Sequence, residues 1–114
     1  MFINTINIFN IEDYKFDFNK KLNYKNTIYV KDCSNLKIKI KSKINKIIIH
    51  NSKNISLKIG DVISGLEIQK SNDINVKILK DKNINCLEIF KSTMNINKTD
   101  DFFLINEKSK IQLT

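Results

Sequence analysis

Three lysines recur at a constant interval in the centre of this sequence. Lys39, Lys58 and Lys77 lie nineteen residues apart, and Lys37 and Lys41 flank the first of them. All 20 basic residues are lysine, and the formal net charge is +8. An amino group is a compact cation that attracts an acidic protein, a nucleic acid or an anionic membrane surface. The residues with the clearest chemistry therefore indicate binding by charge.

The absence of arginine limits what this charge can do. Arginine supplies bidentate contacts to carboxylate, phosphate and guanine groups, and it forms the arginine finger of GTPase activators. Aromatic residues are not interleaved with the lysines, which argues against nucleic-acid binding. Two other interpretations of the lysines remain open. They can be solvated residues that protect sheet edges, or they can reflect the codon usage of an AT-rich genome.

Residues that could support catalysis are few and scattered. The single histidine, His50, shares its repeat position with Lys31 and Gln69, which have only polarity in common with it. Glu67 and Glu88 also share a repeat position, and we interpret them as solvated carboxylates rather than as an acid–base pair. The sequence has no glycine-rich phosphate loop, no nucleophile motif and no Cys/His metal spacing. We therefore expect no enzymatic activity, no cofactor and no metal site.

An apolar repeat of the same length predicts the elements that carry these residues. Over three successive sets, apolar residues follow each other at an interval of nineteen. Within a set they alternate with polar residues, as in LKIKIK from Leu36 to Lys41, which is typical of a strand with one buried face. A fixed period of about twenty residues favours a β-solenoid in which each repeat is one coil. We therefore predict an all-β fold, a parallel β-helix of about five to six coils with a period near nineteen residues. The sets are Ile28, Val30, Leu36, Ile38 and Ile40; Ile47, Ile49, Ile55, Leu57 and Ile59; and Leu66, Ile68, Ile74, Val76 and Ile78.

Two columns of residues mark a corner inside each predicted coil. One holds a small residue, which we expect to point inward. The other holds asparagine or aspartate, which tolerate the left-handed backbone conformation of a tight corner. We interpret this second column as turn chemistry rather than as a cation site. The small residues are Cys33, Ser52 and Ser71, and the turn residues are Asn35, Asn54 and Asp73.

The repeat is irregular toward both ends of the chain. A first coil falls between Phe9 and Phe18, where aromatic residues replace aliphatic ones. Farther along, the interval from Leu66 to Leu87 is twenty-one, and the interval from Ser92 to Ser109 is seventeen. No proline or glycine-rich linker divides the chain. We therefore predict a single domain over residues 1–114.

Cysteine content and hydropathy indicate the compartment. Two cysteines are too few for a disulfide framework, which favours a reducing environment. The first nine residues lack the charged start and unbroken apolar run of a signal peptide. No stretch approaches the roughly 20 apolar residues of a membrane helix. We expect a cytoplasmic protein that does not insert into a membrane.

The centre of the chain resembles the C-terminal (CARP) domain of cyclase-associated proteins. Ile47 to Leu57 reads IIIHNSKNISL, and Asp61 to Val76 reads DVISGLEIQKSNDINV. In that family a strand ends in an Asn-Cys or Asn-Ser corner, followed by an Asp-Val-Val turn, a Glu-Ile strand and a Ser-Arg/Lys-Asp-Val corner. Lys43 to Asn45 also matches the family's Gly-Lys-Ile/Val-Asn turn. The resemblance is good from Ile28 to Ile78 and weaker over Leu87 to Leu113.

This resemblance implies a right-handed β-helix that binds monomeric ADP-actin and promotes exchange of its nucleotide, acting with cofilin-type factors in filament turnover. Such exchange needs no catalytic residue, because it arises from unequal binding to the conformations of actin. Actin is acidic, so lysines would make the electrostatic part of the contact. The candidate actin-binding residues are Lys39, Lys46, Lys58 and Lys77, with Asp61 and Glu67 marking an alternative face.

The resemblance also bears on assembly. In the family, the chain continues past its last coil into an extension that contacts actin and exchanges strands in a dimer, whereas this sequence ends at Thr114. We expect a domain without that extension. Because edge strands pair readily, we also expect that the segment from Ile105 to Leu113 can join a second copy in a homodimer.

Two alternative functions remain open at this point. The first is that of a related β-helix of the tubulin-cofactor C type, which activates GTPases with an arginine finger that this sequence does not contain. The second is a structural scaffold that makes no contact with actin. Binding assays with ADP-actin and with GTP-loaded small G proteins would separate the three.

Overall fold

The computed structural model describes residues 4–18, 22–98 and 102–114, and every regular element in these ranges is a β-strand. The strands form because β-branched isoleucine alternates with polar residues along them. The described residues include no helix that is long and apolar enough to cross a membrane. The strands are β1 (Thr5–Phe9), β2 (Glu12–Phe18), β3 (Thr27–Lys31), β4 (Ser34–Ile40), β5 (Ile44–His50), β6 (Lys53–Ile59), β7 (Val62–Gln69), β8 (Asn72–Ile78), β9 (Cys86–Phe90), β10 (Thr93–Ile96), β11 (Phe103–Glu107) and β12 (Lys110–Leu113).

These strands pair in parallel into two six-stranded sheets. One contains the odd-numbered strands and is called here the odd sheet; the other contains the even-numbered strands and is called the even sheet. Each coil contributes one strand to each sheet, so residues one period apart become neighbours. Ile38 pairs with Leu57, and Leu57 pairs with Val76. The predicted parallel β-helix is therefore confirmed, with six coils in the described residues.

The core is a stack of aliphatic side chains between the two sheets. Leu57 is 2% exposed and Val76 is 4% exposed. Short additional pairings bring Ile44 next to Val62 and Val62 next to Ile84, and all three are buried. Full burial of an aliphatic side chain contributes about 1.5–3 kcal/mol, so a continuous column of them stabilises each coil against its neighbours. The core thus holds the outward-facing side chains of both sheets in fixed register.

Each middle coil turns its corner with two residues of positive φ. The column of asparagine and aspartate has this conformation, as predicted from the sequence. A second column, directly after the first strand of each coil, also has positive φ. The sequence did not predict this column, because it contains aspartate, asparagine and lysine rather than one residue type. The φ values are 55°, 56° and 57° for Asn35, Asn54 and Asp73, and 55°, 47° and 49° for Asp32, Asn51 and Lys70.

Buried hydroxyl groups join the corners of successive coils. The Oγ of Ser71 donates to the carbonyl of Gln69 at 2.9 Å and accepts from the backbone N–H of Ser52 at 3.1 Å. Ser92 repeats this arrangement one coil further on, and Cys33 occupies the equivalent position one coil before Ser52. All four side chains are buried, so the predicted inward orientation of the small column is confirmed.

The end coils follow the irregular intervals seen in the sequence. Phe16 pairs with Ile38, which places the first coil where the aromatic residues predicted it. Leu66 pairs with Leu87 across the longer interval. Ser109 accepts from the N–H of Ser92 across an interval of 17 residues. Residues that share a repeat position therefore remain adjacent across both the longer and the shorter interval.

Candidate functional site

The predicted lysine column lies on the outer face of the even sheet. Lys39 pairs with Lys58, and Lys58 pairs with Lys77, so the three residues occupy adjacent strands β4, β6 and β8. Each lysine follows an inward-pointing aliphatic residue, and strand alternation turns it outward. Lys58 and Lys77 are exposed, whereas Lys39 is half-buried. Because adjacent strands lie about 4.8 Å apart, the column brings like charges close together. We call these three residues the lysine ladder.

A groove of about 560 Å³ runs along the same face. Five of its lining residues are lysine, and none is acidic. In the part of the chain that the structure describes, none of these lysines makes an ion pair. The groove is therefore a basic surface whose charge is not neutralised by neighbouring side chains. Its polar lining consists of Lys15, Lys37, Ser56, Asn75 and Asn95 on one side, and of Lys39, Lys58, Lys77, Asn97 and Thr114 on the other.

Asparagine side chains continue this lining beyond the lysines. The Nδ2 of Asn95 donates to the Oδ1 of Asn75 at 2.8 Å. Asn97 is bonded to the backbone of Ile78, with its Nδ2 donating to the carbonyl at 3.0 Å and its Oδ1 accepting from the N–H at 2.8 Å. The sequence did not single out these residues, because asparagine is frequent throughout the chain and only the strand register places them in one groove.

The outer face of the odd sheet carries a different network. The Nζ of Lys46 lies 3.5 Å from Glu67 Oε1, and the Nε2 of His50 lies 3.0 Å from Glu67 Oε2. The hydroxyl of Tyr29 lies 3.0 Å from the Nδ1 of the same histidine, and the two rings meet edge to face. Because a carboxylate only accepts hydrogen bonds, the Nε2 of His50 is the donor to Glu67. The repeat pattern marks His50 only as a polar position, because its partners Tyr29 and Glu67 come from strands β3 and β7.

Three glutamates line a cleft on this second face. Glu67 pairs with Glu88 in the neighbouring strand, as their shared repeat position indicated. A smaller cleft of about 170 Å³ is lined by both of them and by Glu107. Asp61 lies elsewhere, in the turn before β7, where its Oδ1 accepts from the N–H of Asn83 at 2.8 Å. Its other oxygen is 3.9 Å from Lys82 Nζ.

The six candidate residues thus occupy three places rather than one site. The lysine ladder lies on the even sheet, Lys46 and Glu67 form an ion pair on the odd sheet, and Asp61 lies in a turn. The described ranges contain no cluster of three or more His, Cys, Asp or Glu side chains that could hold a metal ion. The arrangement offers a basic groove for an acidic partner and a more acidic face on the opposite sheet.

Comparison with known proteins places this fold in a family. The family model described as the adenylate cyclase-associated (CAP) C-terminal domain matches residues 4–113. The crystal structure of cyclase-associated protein from Cryptosporidium parvum superposes with a TM-score of 0.83 at 22% sequence identity, over 96% of this chain and 68% of that chain. A search among curated proteins finds no match. Since the family model covers nearly all of the sequence, the chain belongs to the CAP C-terminal family.

Proposed function

We propose that this chain binds monomeric ADP-actin and promotes exchange of its bound nucleotide. The observation that carries the proposal is its membership of the CAP C-terminal family. The family resemblance in the sequence implied this activity, and the groove on the even sheet supplies a basic surface suited to an acidic protein. In this proposal the protein acts in the cytoplasm, together with cofilin-type factors, in filament turnover.

The lysine ladder provides the electrostatic part of the contact in this proposal. Its three ammonium groups make no ion pairs within the described residues, so their full charge is available to a partner. Lys46 differs, because Glu67 lies 3.5 Å from its amino group and offsets its charge. We therefore expect the ladder to contribute more than Lys46 to actin binding. Charge of this kind raises the association rate and aligns the partner before close contact forms.

Exchange is proposed to follow from binding alone. If the β-helix binds more tightly to an actin conformation with an open nucleotide cleft, it increases the population of that conformation. The shift is limited by the difference between the two affinities, and no side chain of the β-helix needs to take part in bond making or bond breaking. The activity therefore requires a rigid surface, which the stacked coils supply.

The test compares two variants that have the same net charge. In the ladder variant, Lys39→Glu, Lys58→Glu and Lys77→Glu are combined; in the control variant, Lys31→Glu, Lys80→Glu and Lys108→Glu are combined. Each variant changes the formal charge from +8 by six units, to +2. The control lysines are exposed and lie outside the groove. We expect the ladder variant to bind ADP-actin at least about tenfold more weakly and the control variant to change much less, measured by fluorescence titration and nucleotide-exchange kinetics.

Four results would contradict parts of this proposal. If wild-type protein does not bind ADP-actin, the function is wrong, and binding to a GTP-loaded small G protein or to neither partner would favour one of the two alternatives. If both variants weaken binding equally, net charge rather than the ladder is responsible. If the ladder variant binds normally whereas Glu67→Lys does not, the contact lies on the outer face of the odd sheet; if Asp61→Lys alone abolishes binding, it lies at the turn before β7.

A further inference from the structure

The groove on the even sheet contains unneutralised charge arranged along a line. Lys39, Lys58 and Lys77 follow one another across neighbouring strands, with Lys15 and Lys37 on the opposite side. Asp17 precedes the ladder in β2 and pairs with Lys39 in the register, but it makes no ion pair with it. Like charges on adjacent strands destabilise a sheet, and an anionic partner would remove that repulsion. The ligand that fits is therefore anionic and elongated along the solenoid axis.

The uncharged lining distinguishes between kinds of anion. Asn95 donates one hydrogen bond to Asn75, and this leaves the Nδ2 of Asn75 as a donor and the Oδ1 of Asn95 as an acceptor with no partner among the described residues. The hydroxyl of Ser56, beside Asn75 in the same column, also has no partner there and can both donate and accept. A peptide group presents one acceptor and one donor, which matches this lining. Phosphate oxygens of a polyanion would satisfy only the donors.

The length of the groove fits a short segment of extended chain. Its lining reaches from Lys15 in the first coil to Thr114 in the last. Six parallel strands are separated by five spacings of about 4.8 Å, or roughly 24 Å, and about seven extended residues at roughly 3.3 Å each cover that distance. The cleft on the odd sheet does not suit an extended anionic segment, because it is smaller and is lined by three glutamates.

We propose that this groove binds an extended, carboxylate-rich peptide segment of the actin monomer, with its carboxylates at the lysines and its backbone amides at Asn75 and Asn95. This inference rests on the proposed function, because it specifies which chemical element of the partner enters the groove. The carboxylates of the peptide neutralise the charge of the lysines, and the side-chain amides of Asn75 and Asn95 orient the peptide. The interaction is distinct from a general attraction between two charged surfaces, since it depends on uncharged residues as well.

The experiment uses the full chain and a fluorescent octapeptide of glutamate, followed by anisotropy. An octapeptide of glutamine is the matched probe without charge. We expect the glutamate peptide to bind at least about tenfold more tightly than the glutamine peptide, and the ladder variant to lose that preference. The control variant should retain wild-type binding within about twofold, since its substitutions lie outside the groove and distant exposed charges are screened by salt.

A second pair of measurements separates a peptide from a phosphate polymer. Asn75→Ala combined with Asn95→Ala should weaken the glutamate peptide severalfold and sodium tripolyphosphate by less, because the peptide loses a donor and an acceptor whereas phosphate loses only the donor of Asn75. The inference is overturned if the wild-type chain does not bind the glutamate peptide or if the control variant loses as much affinity as the ladder variant. It is also overturned if the asparagine substitutions leave peptide binding unchanged, or weaken tripolyphosphate at least as much as the peptide.

The peptide and actin experiments distinguish failure of the groove inference from failure of the proposed function. If ADP-actin binds and the glutamate peptide neither binds nor competes with it, the groove inference is wrong while the proposed function stands. If the peptide binds in the groove and ADP-actin does not bind at all, the proposed function is wrong, and with it the assignment of the peptide to actin. Competition between peptide and actin for the wild-type chain, lost in the ladder variant, supports both.

Discussion

At the scale of single residues, the corners show how a β-helix buries polar atoms without penalty. A buried hydroxyl must be hydrogen-bonded, because an unpaired polar group in the interior costs about 1–3 kcal/mol. The Oγ of Ser71 meets this requirement twice, once with the carbonyl of Gln69 and once with the N–H of Ser52. The side chain therefore satisfies a backbone donor of the adjacent coil, which links one corner to the next.

The serine column gives a prediction about stability. Ser71→Ala removes both bonds and leaves the buried Ser52 N–H without its acceptor, so we expect a loss of about 1–3 kcal/mol in the free energy of unfolding. Ser71→Cys is the matched control, because Cys33 already occupies this position in another coil and its Sγ lies 3.2 Å from the carbonyl of Lys31. Urea denaturation followed by circular dichroism would measure both variants. A Ser71→Ala variant with the same free energy of unfolding as the wild-type chain would show that these two hydrogen bonds contribute nothing.

At the scale of strands and corners, the features that recur in every coil could be predicted from the sequence, whereas features that occur in one coil only could not. The strands, their register and the small inward residues followed from the nineteen-residue interval, because residues one period apart become neighbours when the coils stack. Gly65 could not be predicted in the same way. It has a φ of 98°, and a Cβ there would overlap the carbonyl oxygen of Cys86, which lies beside it where Leu66 pairs with Leu87. The positions one repeat apart do not reveal this conformation, because the equivalent residue of the preceding coil is Lys46.

The candidate site was also predictable only in part. The lysine ladder could be predicted because its three members share one repeat position. The partners of His50 were not, since Tyr29 and Glu67 occupy a different position of the repeat and reach the ring diagonally from neighbouring strands. The groove was also not predicted, because the sequence gives the order of side chains along a sheet but not the space that they leave between them.

The core column gives the second stability prediction. Leu57 is 2% exposed and lies between Ile38 and Val76 in the stack. Leu57→Ala should lower the free energy of unfolding by about 2–5 kcal/mol, because it removes buried apolar surface and leaves a cavity. Lys58→Ala, at the next residue, should change it by no more than about 0.5 kcal/mol, since the side chain is exposed and makes no ion pair. Equal effects of the two substitutions in chemical denaturation would contradict the inward and outward assignment.

At the scale of the whole molecule, the grooves on the two sheets differ in charge. The even sheet carries the five groove lysines, while the cleft on the odd sheet is lined by Glu67, Glu88 and Glu107. An approaching acidic protein is therefore attracted more strongly to the groove on the even sheet than to the cleft on the odd sheet. This difference determines which face of the β-helix an acidic partner meets, and the net charge alone does not determine that.

The last coil is the basis of the final prediction, which concerns assembly. In β11, Phe103, Leu104 and Ile105 are 74%, 50% and 51% exposed, an unusual amount of apolar surface for strands at the edge of the two sheets. Exposed apolar edges pair readily with another chain. We therefore expect the wild-type chain to form a homodimer through this coil, as the sequence suggested for the segment from Ile105 to Leu113. Phe103→Lys combined with Ile105→Lys should make it monomeric, because burying two charges in the interface would be costly.

Sedimentation velocity across a range of protein concentrations would test this expectation. Lys80→Ala serves as the control, since Lys80 is an exposed residue in a turn outside the last coil and its loss should leave association unchanged. A single wild-type species of 13.3 kDa at every concentration would rule the dimer out. If the double lysine variant still dimerises, another surface mediates association. Because the ladder and groove are on the even sheet, whereas Phe103 and Ile105 are on the odd sheet, we also expect the monomeric variant to retain binding to the glutamate peptide.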